Sequence, residues 1–148
     1  MNKPINLFEY ESLAPQNLSQ MALDYYASGA WDEITLRDNR TAYEKYKLRP
    51  RMLVDVSQRN LTTKILGQHI KMPILIAPMA FQCLAHPEGE LATAKVAAEL
   101  GITMVLSTMS TKSLENVALA TNVPKSLWFQ LYVHRDRSLT RALVKRAE

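Results

Sequence analysis

The chain has 148 residues, 47% of them hydrophobic and 22% charged, with a formal net charge of +4 and one cysteine. That balance excludes a disordered chain, and the length allows one domain with a real core without promising two. No apolar run approaches the ~20 residues that cross a bilayer, and a lone Cys83 forms no internal disulfide. Basic residues are densest in YEKYKLRPR (43–51), where Glu44 interrupts them and no basic-aromatic stacking pattern develops, so a solvated face is expected rather than a nucleic-acid surface. The opening MNKPINLFEYES lacks the apolar centre and small-residue site of a secretory leader, and the expectation is a cytoplasmic protein with no membrane contact.

The first third reads as helical. Asn17 is a plausible N-cap with Gln20 closing a capping box, and Leu18, Met21, Ala22, Tyr25 and Gly29 follow at helical spacing. Gly29 supplies the stop. A second helix is expected over Asp32–Tyr46, ended by LRPR, because the residue before Pro50 is pushed towards extended geometry. MLVDVS (52–57) reads as extended, and NLTTKILGQHIKMP (60–73) as a small hairpin around Leu66-Gly67-Gln68. From residue 73 three short, nearly continuous apolar runs appear: PILIAP (73–78), ITMVLS (102–107) and LWFQLYV (127–133). Strands buried on both faces read this way. Between and after them lie helical segments at 88–100, 113–121 with Ser113 as N-cap, and 137–148 with Asp136 as N-cap.

This β-α-β-α-β-α order implies an α/β fold with parallel strands. With four glycines in the chain and no phosphate-cradling fingerprint after the first strand, a dinucleotide-binding unit is disfavoured. The better reading is the N-terminal portion of a (β/α)8 TIM barrel, with N-terminal helices and hairpin over 1–72 and the first three βα units over 73–148. Three units do not close a barrel, which takes eight strands and about 250 residues, so the chain is expected to be the first part of a larger protein.

Barrels of this kind place their ligands at the C-terminal strand ends. The architecture therefore nominates Pro78-Met79-Ala80, Ser107-Thr108-Met109 and Gln130-Leu131-Tyr132. A hydroxyl, an amide and a phenol among apolar neighbours suit a flat, partly apolar ligand with polar edges. His69, His86 and His134 are scattered without metal-ligand spacing, so no metal site is expected, and Cys83 reads as a small packing residue.

Three stretches then carry a resemblance: DYYASGAWDE (24–33), RNLTTKILGQHIKMPILIAPMAFQCLAHPEGE (59–90) and FQLYVHRDR (129–137). In this order they resemble the N-terminal part of the FMN-dependent 2-hydroxy acid oxidases and dehydrogenases, typified by glycolate oxidase and lactate oxidase. The resemblance runs from about Leu7 to Glu148 and implies an FMN-binding barrel preceded by helices. It implies that Tyr25 contacts the substrate carboxylate, the rival reading being ordinary core packing. The backbone of Pro78, Met79 and Ala80 would lie against the flavin, Ser107 would hydrogen-bond its ring system, and Gln130 would read its pyrimidine edge. For Ser107 and Gln130 the rival is a buried polar group satisfied by its neighbours. Tyr132 is the implied catalytic residue, beside the substrate and able to stabilise charge as the alcohol is oxidised. His86 and Pro87 belong to HPEGE, where Pro87 suits the first helical position and the turn reads as structural.

Glycolate oxidases usually carry Thr at the position of Met79 and Trp at that of Met109. Two methionines make the substrate pocket roomier and more apolar, so Met109 joins the substrate-binding set and L-lactate or a longer 2-hydroxy acid is favoured over glycolate. The resemblance implies O2 as electron acceptor, hydrogen peroxide as product and a homotetramer for the complete enzyme. It also implies that the histidine base, its arginine partner and the lysine beside the flavin come from later strands, so residues 1–148 alone are expected to be inactive. Two alternatives stay open: a dehydrogenase that passes electrons to a quinone or cytochrome, and a non-catalytic fragment that assembles with a partner.

Overall fold

The computed structural model describes residues 3–121 and 127–148, which separate into two compact units, Met1–Arg59 and Asn60–Glu148. The hairpin thus groups with the sheet rather than with the N-terminal helices.

The N-terminal unit holds α1 (Leu7–Asn17), α2 (Gln20–Ala27) and α3 (Ile34–Thr41), the last running into a 3-10 turn at Ala42–Lys45. α1 differs from the expectation that Asn17 opens the first helix. Asn17 is the last residue of α1, which is capped by Asn6, and the cap of α2 is Ser19, whose hydroxyl accepts from the Ala22 N–H. α1 buries none of its residues and carries Pro15 in its last turn, so its sequence has no clean apolar stripe to read. The expected helix over Asp32–Tyr46 is shorter at its start and tightens into the 3-10 turn at its end. Residues 52–57 form no strand: Leu53 stands at φ 57°, fully exposed. β-branched composition favours a pleated, half-buried surface, and this segment pairs with none.

In the second unit β1 (Thr63–Ile65) and β2 (Gln68–Ile70) pair antiparallel. Leu66 and Gly67 between them both have positive φ, the geometry of the two-residue hairpin turn that matches strand twist. The Trp128 indole N–H donates to Gln68 Oε1 at 2.9 Å and the Lys71 N–H to the Gly101 carbonyl at 2.9 Å. These two bonds fix the hairpin to residues far along the chain in the same unit.

The main sheet is β3 (Leu75–Ile76), β4 (Thr103–Ser107) and β5 (Leu127–Gln130), in the order β3-β4-β5 and parallel throughout. α4 (Glu90–Leu100) and α5 (Leu114–Thr121) connect the strands, and α6 (Arg137–Ala147) follows β5. The three βα units are as expected, with shorter strands: PILIAP pairs only at Leu75–Ile76, and LWFQLYV leaves the ladder after Gln130. β4 is buried at four of its five positions, as a strand covered on both sides should be. The core sits between sheet and helices: Met104 and Leu106 from β4 meet Ala94 and Ala97 of α4 and Val117 of α5, with Ile76, Leu127 and Phe129 against them. Burying Met104 and Leu106 stabilises by about 1.5–3 kcal/mol each. Ser113 caps α5, accepting from the Asn116 N–H at 3.2 Å, and Asp136 caps α6, accepting from the Ser138 N–H at 2.8 Å. Pro87 is not the first residue of α4. It lies inside a tight turn closed by the Gly89 N–H donating to the His86 carbonyl at 2.9 Å, and the helix begins at Glu90 behind Gly89.

Among the described residues, no helix is long and apolar enough to cross a membrane, and no group of His, Cys, Asp and Glu has the geometry to hold a metal.

Candidate functional site

The parallel register brings the nominated strand ends side by side, because Ser107 of β4 is paired with Gln130 of β5. The Gln130 side-chain oxygen accepts from the Ser107 hydroxyl at 3.4 Å and from the Thr108 N–H at 3.3 Å. Both bonds are long, so each is weak alone. Together they still orient the carboxamide, and no partner for its NH2 group occurs among the described residues. Ser107 is buried, and its oxygen also accepts from the Met109 N–H at 3.1 Å. The rival reading, polar groups satisfied by their neighbours, therefore holds for the Ser107 hydroxyl and the Gln130 oxygen but leaves the Gln130 donor edge open.

Thr108 is nominated by its place after β4, but no sequence signal specifies what it does there. Its hydroxyl donates to the Gln130 carbonyl at 2.5 Å and accepts from the Tyr132 N–H at 3.1 Å. The chain leaving β5 is thereby held against the end of β4, which fixes the backbone under Tyr132. The Tyr132 side chain is half exposed. Where strand pairing stops, one threonine carries the register two residues further.

On the other side of β4, the Phe81 N–H donates to the Met109 carbonyl at 3.1 Å. This tie sets the loop after β3 beside the loop after β4, with Met79 and Met109 each a little under half exposed. Pro78 and Ala80 add little side-chain bulk next to them. Phe81 has φ 57°, a left-handed conformation that costs a bulky residue of order 1–3 kcal/mol and tends to persist where the surroundings determine it. Cys83 packs against the turn before α4, its thiol 3.5 Å from the Pro87 carbonyl oxygen.

The loops meet again around Glu90, a second feature that sequence reading missed, having taken HPEGE only as a helix start. Glu90 is fully buried. Its Oε1 accepts from the Thr111 N–H at 2.8 Å and the Gln82 N–H at 3.2 Å, and its Oε2 from the Thr111 hydroxyl at 2.6 Å. Burial pushes this carboxyl up, but the Thr111 hydroxyl and N–H, its own N–H and that of Gln82 outweigh burial and hold it below its ordinary value.

Tyr25 lies on α2 of the N-terminal unit, half exposed, with its ring edge-on to Tyr26 at 5.4 Å. Tyr25 is not among the buried residues of this unit. The remaining nominated residues, Pro78, Met79, Ala80, Ser107, Met109, Gln130 and Tyr132, all stand at the C-terminal edge of one sheet. An FMN ring system fits what they offer: an open amide donor, half-exposed methionine and tyrosine side chains, and a floor with little bulk at Pro78 and Ala80.

The sequence pattern of the FMN-dependent dehydrogenase family matches residues 14–148. The chain is 68% identical over 149 residues to an L-lactate oxidase of Nostoc sp., covering 99% of this chain and 41% of that protein. It is 54% identical over 143 residues to glycolate oxidase 3 of Oryza sativa subsp. indica, covering 97% and 38%. Among solved structures it is similar to a mutant flavocytochrome b2 with pyruvate bound, at TM-score 0.91 and 36% identity over 97% of this chain and 38% of that one. The chain thus spans about 40% of the length of the relatives it matches.

Proposed function

The chain belongs to the FMN-dependent dehydrogenase family, and from that premise we propose that it forms the flavin floor of a barrel enzyme oxidising small (S)-2-hydroxy acids. The overall reaction converts a 2-hydroxy acid and O2 into the 2-oxo acid and hydrogen peroxide. The observation that carries this reading is the open donor edge of Gln130, oriented by Ser107 and Thr108 at the end of a parallel sheet. FMN, when bound, supplies the two-electron acceptor. Gln130 would hold its pyrimidine edge, Ser107 would offer a hydroxyl to the ring system, and the Pro78–Ala80 backbone would lie beneath. Tyr132 would hydrogen-bond the substrate oxygen and stabilise negative charge developing there. Tyr25 is assigned to the substrate carboxylate on the family resemblance. The base, and the rest of the barrel, would come from sequence beyond these residues, and the complete enzyme would be a homotetramer.

L-Lactate is the favoured substrate, supported by Met79 and Met109 at the rim and by the name of the 68%-identical relative. The same relative supports an oxidase over the dehydrogenase alternative, which the less identical flavocytochrome keeps in view. The test joins residues 1–148 to the remaining length of the lactate oxidase relative and measures peroxide from L-lactate and from glycolate. We expect L-lactate to be preferred. A strong glycolate preference refutes the substrate assignment, and dye reduction without peroxide replaces the oxidase by a dehydrogenase. Met79→Thr with Met109→Trp should move the lactate-to-glycolate ratio of kcat/KM towards glycolate by about tenfold, the scale at which small apolar differences discriminate.

A further inference from the structure

We propose that Glu90 is a positioning residue, a buried carboxylate that ties the loop after β3 to the loop after β4 and thereby sets the height and tilt of the flavin floor. This rests on the proposed flavin site and adds a residue to it. Glu90 is 0% exposed, and no Lys or Arg pairs with it among the described residues. Its charge is held by three donors from two different loops, Gln82 before α4 and the N–H and hydroxyl of Thr111 before α5. Its place at the first residue of α4 adds the favourable end of the helix dipole.

The network extends in both directions. Thr111 Oγ1 also accepts from the Cys83 N–H at 3.2 Å, and the Thr93 hydroxyl donates to Gln82 Oε1 at 2.7 Å. With the Phe81-to-Met109 bond, the two loops are joined at the rim by backbone and behind it by a carboxylate. A buried charge is a costly way to join two loops when apolar contact would serve. Its advantage is directional: charge-assisted bonds of 2.6–2.8 Å fix geometry more tightly than apolar contact. The segment so fixed, Phe81 to Cys83, follows directly on the stretch assigned to the flavin.

The test uses residues 1–148 joined to the remaining length of the lactate oxidase relative and compares Glu90→Gln, Thr111→Val and Thr111→Ser. Thr111 lies on an exposed loop, so its variants remain informative if Glu90→Gln does not fold. We expect Glu90→Gln and Thr111→Val to lower kcat by about tenfold to a hundredfold, the effect of sub-ångström to ångström misplacement, with KM for L-lactate changed by less than about threefold. The flavin absorption bands should shift with them, and Thr111→Ser, which keeps the hydroxyl, should restore both. Parent-like kcat and spectrum in Thr111→Val, or equal losses in Thr111→Ser and Thr111→Val, would overturn the proposal. If the parent binds no FMN, the functional reading fails. The tie is then judged by amide hydrogen exchange at Cys83 in residues 1–148, where faster exchange in Thr111→Val than in Thr111→Ser supports it and equal exchange overturns it.

Discussion

Gly89→Ala isolates how tightly the floor loop is built. Gly89 has φ 48° and ψ −127°, close to the first central position of a type II′ turn, which glycine dominates. Forcing alanine there costs of order 1–3 kcal/mol in backbone strain. A Cβ would also stand 2.6 Å from the Cys83 thiol and 3.1 Å from the Cys83 backbone nitrogen. The thiol contact is closer than real Cβ atoms come, and relieving it adds an overpacking cost of about 1–3 kcal/mol. The single variant should therefore lose about 2–6 kcal/mol in urea unfolding, a large share of a small unit's stability. Cys83→Ala in the same background removes the thiol but not the backbone strain, so a double-mutant cycle should return about 1–2 kcal/mol. A Gly89→Ala variant within about 0.5 kcal/mol of the parent would refute the geometric argument. A cycle with no coupling would refute the part assigned to the thiol.

Two further outcomes are expected from the same structure. Arg146 grips Glu115 with two bonds, at 2.7 and 2.9 Å, and this pushes the Glu115 carboxyl down to about 2. A depressed carboxylate stabilises the fold above its unfolded value near 4.5, and that contribution is lost as pH falls from there towards 2. A carbon-detected NMR titration should show Glu115 returning to the ordinary carboxylate range in Arg146→Ala, and an unchanged midpoint would refute the pairing. Residues 1–148 on their own should release no peroxide from L-lactate, since a competent site needs its base and floor held together. Measurable peroxide from the purified chain would sink that expectation.

Strand and helix patterns made the second unit largely legible. The three apolar runs gave the parallel strands, Ser113 and Asp136 gave two caps, and Leu66-Gly67 gave the hairpin turn. What failed, failed for local reasons. α1 has no apolar stripe and contains Pro15, and residues 52–57 have strand composition without a partner strand. Strand lengths were overestimated because apolar character continues past the last ladder bond, through Leu131 and Val133 at β5. At the candidate site, sequence supplied the residues that would face a ligand and missed those that hold them. Thr111 and Gln82 carry no pattern of their own, Thr108 is marked only by its place after β4, and their roles come from bonds spanning 8 to 28 residues.

That division has a physical basis. Residues that face a ligand are nominated by where a strand ends, a property of one segment. Residues that position them act between segments, and the loops here are joined pairwise: β3 to β4 by Phe81, Met109, Thr111 and Glu90, and β4 to β5 by Ser107, Thr108 and Gln130. The links use hydroxyl, amide and carboxylate groups at or beyond the last ladder pair, while the apolar core lies behind, around Met104, Leu106 and Val117. The apolar core and these polar ties therefore involve different residues. Truncating Leu106 should lower stability by about 2–5 kcal/mol through the cavity it leaves. Thr108→Val should instead release the backbone of Gln130 and Tyr132, leaving the Thr108 N–H on the Gln130 carboxamide, at a smaller cost in stability, because its two hydroxyl bonds hold a half-exposed loop rather than the core.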